Sequence, residues 1–192
     1  MRITGGQARG IPLQSPGGLQ TRPAMDRNRE AVFSSLGTLV EGAVVLDLFA
    51  GTGAYGLEAI SRGAREAVWV ETHREAVLVL QKNRKAVAKA MGGEVTGQVY
   101  RQNALAWQGA DPGSFDLIFA DPPYEKYPEV ADSLFARADF FLSRGVHSRL
   151  VLELPGSLEI GAPDWELLRR FGKKGRSTIA LFARRPKSEK AP

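Results

Sequence analysis

Between residues 43 and 154, short apolar runs alternate with segments of helical period, and nothing else in the chain restricts its fold as much. The runs at 43–49, 67–71, 95–100, 115–120 and 149–154 predict buried strands. Residues 54–62, 74–91 and 130–142 predict helices, the longest with Ala76, Val77, Leu80, Val87, Ala88 and Met91 at helical spacing. Such alternation dictates a parallel, doubly wound α/β sheet with helices on both faces. After residue 154 the helical pattern stops. Segments 165–171 and 178–184 predict two more strands joined by 172–176, an antiparallel hairpin at one sheet edge. Residues 1–20 are rich in Gly and Pro and read as a small hairpin or an arm rather than a core unit. Residues 26–36 predict a helix, with Asp26 as N-cap and Gly37 as stop. The expected organisation is an N-terminal extension (1–36), a main domain (37–185) and a disordered tail (186–192) that has nothing to bury.

Composition removes several classes of chemistry. The chain has no cysteine, and its only histidines are His73 and His147. Disulfides, thiolate zinc sites, cysteine nucleophiles and histidine-rich metal centres are therefore excluded, and no metal is expected. No apolar run approaches the roughly 18 residues of a membrane span, and the first residues lack the apolar stretch of a secretory signal. A soluble, cytoplasmic monomer is expected. The net charge of +5 is unevenly distributed. Residues 1–35 carry Arg2, Arg9, Arg22, Arg27 and Arg29 against Asp26 and Glu30, and residues 169–192 are basic, whereas the centre is acidic. Basic ends on an acidic body suggest a polyanion partner such as RNA, since phosphate contacts supply much of nucleic-acid affinity.

Ligands of doubly wound sheets bind outside the carboxyl ends of the strands. After the first strand comes Asp47, then Phe49, Gly51, Gly53 and Gly56, matching G-x-G-x-x-G, with Glu71 twenty residues after Gly51. Taken literally this is a dinucleotide fingerprint, and a NAD-linked oxidoreductase is one reading. Asp47 argues against it, because a carboxylate beside the loop repels a pyrophosphate through a poorly screened medium. S-adenosylmethionine has no phosphate; it carries an ammonium and a sulfonium, both favoured by a nearby carboxylate. Asp47, Phe49, Gly51 and Gly53 are thus candidates for its site, with Glu71 for the ribose hydroxyls. Asn103 and Ala104, after the third strand, are candidates for the adenine end.

The fourth strand runs into Asp121, Pro122, Pro123 and Tyr124. The prolines fix φ, hold Asp121 extended and present carbonyls without N–H groups. This suits methylation of a nucleobase amine, a poor nucleophile whose lone pair is delocalised into the ring. The Asp121 carboxylate and the Pro122 carbonyl can accept its two N–H bonds, and Tyr124 can stack on the base. The loop chemistry does not separate guanine N2 from adenine N6, so methylation of adenine in DNA or RNA is an alternative. A non-catalytic RNA-binding module is another.

Together, Asp47 through Gly53, Glu71 and Asp121 through Tyr124 resemble the amino-methyltransferases of Rossmann-like fold. Residues 2–10 and the pattern Arg22-Pro23, Asp26-Arg27, Arg29-Glu30 and Phe33 are similar to two N-terminal segments of the bacterial RsmD family. The resemblance spans about residues 2–184. It implies a methyltransferase that uses S-adenosylmethionine to modify guanine N2 in 16S ribosomal RNA of the small ribosomal subunit, with the N-terminal arginines contacting RNA near the target base. Ala24 and Met25 depart from it, standing where the family usually has threonine or serine.

Overall fold

The computed structural model describes residues 1–16, 23–123, 125, 127–172 and 177–186. In chain order its elements are α1 (Pro23–Leu36), a 3-10 turn (Gly37–Val40), β1 (Val44–Leu48), α2 (Ala54–Ser61), β2 (Glu66–Val70), α3 (Arg74–Met91), β3 (Val99–Tyr100), β4 (Leu117–Ala120), α4 (Tyr127–Phe141), β5 (Arg149–Pro155), β6 (Trp165–Gly172) and β7 (Ser177–Arg184). They form a seven-stranded sheet of order β3-β2-β1-β4-β5-β7-β6. The first five strands of that order pair in parallel; β7 runs antiparallel between β5 and β6. This is the Rossmann-like α/β sheet with a C-terminal antiparallel hairpin that the alternation predicts. The order reverses between β1 and β4, so the loops after those strands open at one switch point.

Alternate strand residues feed two apolar layers, as the two-residue period of a strand requires. Val45, Ala67, Trp69, Leu117, Phe119 and Val151 point to the layer beneath α1, α2 and α3. Leu46, Leu48, Val68, Val70, Ile118, Ala120 and Leu152 point to the layer beneath α4 and the 101–116 connection, where Trp107 is buried.

Three expectations need correction. Helix α1 begins at Pro23, so Asp26 lies within its first turn and is not the N-cap. The third strand is shorter than 95–100, and only Val99–Tyr100 is regular. Gly97, at φ +117°, passes so close to β2 that a Cβ would lie 1.8 Å from the Ala67 carbonyl oxygen. Thr96 and Gln98 still accept from Ala67 and Trp69 N–H groups, so the edge is paired around an irregular residue. The N-terminal segment is the hairpin of the two forms expected, with Arg2 bridging Pro12 antiparallel, but it belongs to the core. Ile3, Ala8 and Leu13 are buried in the same layer as Val32, Phe33 and Leu36 of α1. Few apolar residues suffice there because a polar anchor does the docking. Thr4 donates both its N–H and its hydroxyl to Glu58 of α2, each at 2.7 Å. The proposed tail lies outside the described residues from position 187 onward.

Candidate functional site

The loop after β1 is held by two acids. Asp47 is 2% exposed, and its Oδ2 accepts from the Gly56 N–H at 2.9 Å. Burial pushes its carboxyl up to about 8, opposed by the Gly56 N–H and reinforced by the Glu71 charge. Glu71, just past β2, accepts from the Gly51 N–H at 2.8 Å and from the His73 N–H at 2.7 Å. It thereby clamps the glycine loop to the start of α3. Between the acids, Phe49 adopts φ 57°, a strained conformation for a bulky side chain. Gly56 lets α2 approach the sheet: a Cβ there would lie 2.3 Å from Nε1 of the buried Trp69. The third glycine of the fingerprint thus serves helix–strand packing.

Parallel pairing of Leu48 with Ala120 brings the next loop beside this one. The Asp121 N–H donates to the Leu48 carbonyl at 3.4 Å, so the two loops leave the sheet together. Asp121 is partly buried, Pro122 buried and Pro123 exposed. Burial, then the charges of Glu153 and Asp47, hold the Asp121 carboxyl well above the usual carboxylate range. Tyr124 lies outside the described residues. Asn103 is exposed; its Oδ1 accepts from the Leu105 N–H at 2.9 Å and shapes the turn around the buried Ala104.

The charges of Asp47 and Glu153 therefore both act on Asp121, near where β1, β4 and β5 end. Such a set disfavours anions and welcomes a cation, because a positive charge relieves both burial and mutual repulsion. The donor set therefore fits the sulfonium and ammonium of S-adenosylmethionine and does not fit a pyrophosphate. Asp47 and Asp121 would face the cation and Glu71 the ribose.

The arginines separate into two groups. Arg2, Arg9 and Arg27 are exposed, and with Thr4, Asp26 and Glu30 they line a cavity of about 520 Å³ between the N-terminal hairpin and α1. Arg29, expected to meet RNA, is instead 3% exposed. Its guanidinium donates to the Arg2 carbonyl, to Asp26 at 3.0 Å and to Glu58 at 3.5 Å. An arginine enclosed by these partners has no face left for a phosphate. Arg22 lies outside the described residues.

Sequence reasoning missed Glu58, Glu153 and Tyr55. Fully buried Glu58 joins Arg29, Arg62 and Thr4, fixing the N-terminal segment to the helix that follows the glycine loop. The available signal was a carboxylate inside an otherwise apolar segment, as in 54–61 and 149–155. A charge buried in such a run requires dedicated partners. Among the described residues, no helix is long and apolar enough to cross a membrane.

Comparison with known proteins gives a consistent picture. A family model described as Conserved hypothetical protein 95 matches residues 1–153. Ribosomal RNA small subunit methyltransferase D of Escherichia coli strain K12 is 37% identical over 126 residues, covering 66% of this chain and 61% of that protein. "Putative rRNA methyltransferase YlbH" of Bacillus subtilis strain 168 is 35% identical over 131 residues, 66% of this chain and 68% of that one. The structure of "Putative methyltransferase yhhF from Escherichia coli" superposes with a TM-score of 0.77 at 32% identity, over 96% of this chain and 97% of the other.

Proposed function

The chain belongs to the RsmD family, and on that premise we propose that it methylates the exocyclic N2 amine of a guanine in 16S ribosomal RNA, using S-adenosylmethionine. One observation carries the reading: Asp121, followed by Pro122 and Pro123, is hydrogen-bonded through its N–H to the strand end that opens the Asp47–Gly56 loop. Acceptor loop and cation-favouring loop are thus neighbours. The likeness to ribosomal RNA methyltransferases supports ribosomal RNA as the substrate, and guanine N2 is the amine we assign to the acceptor loop.

S-adenosylmethionine supplies a methyl group on a sulfonium, an excellent leaving group. The protein supplies placement and charge. Asp47, near the end of β1, would favour the cation, and Glu71, which holds the loop, would face the ribose. Asp121 and the Pro122 carbonyl accept the two N–H bonds of the guanine amine and orient its nitrogen toward the methyl group. A cation held near Asp121 would favour its ionised form, the form able to accept the proton that the amine releases. Tyr124 follows in sequence as the stacking ring. The target guanine has to leave its stack to reach the strand ends. Arg2, Arg9 and Arg27, around the N-terminal cavity, hold the neighbouring phosphates.

The test is to incubate purified, unmodified small subunits with labelled cofactor and identify the labelled nucleoside after digestion. N2-methylguanosine in 16S RNA is expected. Label in N6-methyladenosine, or in DNA offered in parallel, overturns the assignment of base and substrate.

A further inference from the structure

Glu153, near the end of β5, is 5% exposed and sits where both functional loops leave the sheet. Ala120 pairs with Leu152, so Asp121 and Glu153 occupy matching positions on neighbouring strands. The Glu153 carboxylate accepts a hydrogen bond from the Tyr55 hydroxyl at 3.0 Å and another from the Ser177 hydroxyl. Its main-chain carbonyl accepts from the Tyr127 hydroxyl. Tyr55 belongs to the first turn of α2, directly after the glycine loop, and Tyr127 opens α4, directly after the Asp121 loop. One residue therefore ties down the exits of both loops. The Tyr55 ring also stacks on Phe119 of β4, with centroids 5.1 Å apart.

We propose that Glu153 is a positioning residue that fixes the loop after β1 against the loop after β4 and holds a negative charge beside Asp121, making Asp121 a stronger acceptor for the amine. After burial itself, the Glu153 charge is the largest cause of the raised Asp121 carboxyl. The groups facing Asp121 are Asp47 from β1, Tyr55 from α2 and Glu153 from β5. Glu71 acts in turn on Asp47, and Arg29 on Tyr55. The consequence for turnover rests on the methyl-transfer reading; the charge effect on Asp121 does not.

The experiment follows the Asp121 carboxyl by carbon NMR in the cofactor-free full chain, assigned with Asp121→Asn, and compares wild type with Glu153→Gln. Gln preserves the shape and an acceptor for Tyr55 but removes the charge. The Asp121 midpoint is expected to fall by roughly one pH unit. The acid limb of the kcat profile is expected to move down with it. An unmoved midpoint overturns the charge role. Tyr55→Phe keeps the ring on Phe119 and tests the tie separately. It is expected to lower kcat by on the order of tenfold, with the cofactor KM unchanged. Wild-type kcat in that variant overturns the positioning role, and it also covers the case of a Glu153→Gln protein that does not fold. A wild-type protein that transfers no methyl group to small subunits refutes the proposed function, whereas the NMR midpoint still decides what Glu153 does to Asp121.

Discussion

Replacing Asp47 by Asn should stabilise the protein and weaken its grip on the methyl donor, both in a pH-dependent way. In the fold the Asp47 carboxyl is raised from 3.8 to about 8, chiefly by burial. A carboxyl raised in the folded state binds its proton more tightly there than in the unfolded chain. Its stabilising contribution is complete below about pH 4 and is lost as pH rises toward 8. At about 1.36 kcal/mol per pH unit, the interval sets a ceiling of roughly 6 kcal/mol on the loss. Local relaxation reduces this to a few kcal/mol. Asn cannot ionise, and its side-chain carbonyl can still accept from the Gly56 N–H that Asp47 Oδ2 accepts at 2.9 Å. Urea unfolding at a series of pH values from 4 to 8.5 should therefore show near-equal stabilities at the acid end. The Asn variant should lead by a few kcal/mol at pH 8. Calorimetric titration with S-adenosylmethionine should show the opposite order, with Asn the weaker binder at pH 8. Parallel stability curves would refute the claim that Asp47 holds an unfavourable charge in the fold. Unchanged cofactor affinity would refute its role in holding the methyl donor.

Other perturbations reach the remaining parts of the site. Asp121→Ala should abolish methyl transfer in a labelled-cofactor assay while leaving calorimetric cofactor affinity within a few-fold of wild type. Gly56→Ala drives a Cβ to within 2.3 Å of Trp69 Nε1 and should cost about 1–3 kcal/mol in denaturant unfolding. Glu58→Gln removes the α2 counter-charge of the buried Arg29, which keeps Asp26, and should cost about 1–3 kcal/mol, with the N-terminal amides losing hydrogen-exchange protection first. Joint replacement of Arg2, Arg9 and Arg27 by Ala should weaken RNA binding and flatten its salt dependence, with cofactor affinity unchanged; an unaltered slope would move the RNA contact to the basic C-terminal segment.

The sheet was legible because burial writes itself into sequence as period. β4 is a continuous apolar run, and β1 and β5 are apolar runs broken by Asp47 and Glu153, since both faces of these strands are covered, and α3 carries a regular stripe that fixes both its ends. The glycine loop was legible because close approach leaves few residue choices, as Trp69 shows at Gly56. What stayed hidden depends on pairing across long stretches of chain. Nothing local distinguishes Arg29 from Arg27 on α1, yet one faces Glu58 of α2 and the other solvent. Likewise Ile3 and Leu13 look too sparse to form a core until Thr4 is seen docked on Glu58. The buried carboxylates were the overlooked clue, because Glu58 and Glu153 both interrupt segments that should tolerate no charge. Each turns out to anchor a neighbouring element, Glu58 the N-terminal hairpin and Glu153 the exits of the two loops. Both attach to α2, the helix that leaves the glycine loop. Glu58 thus joins the N-terminal hairpin to α2, and Tyr55 joins α2 to Glu153 at the end of β5.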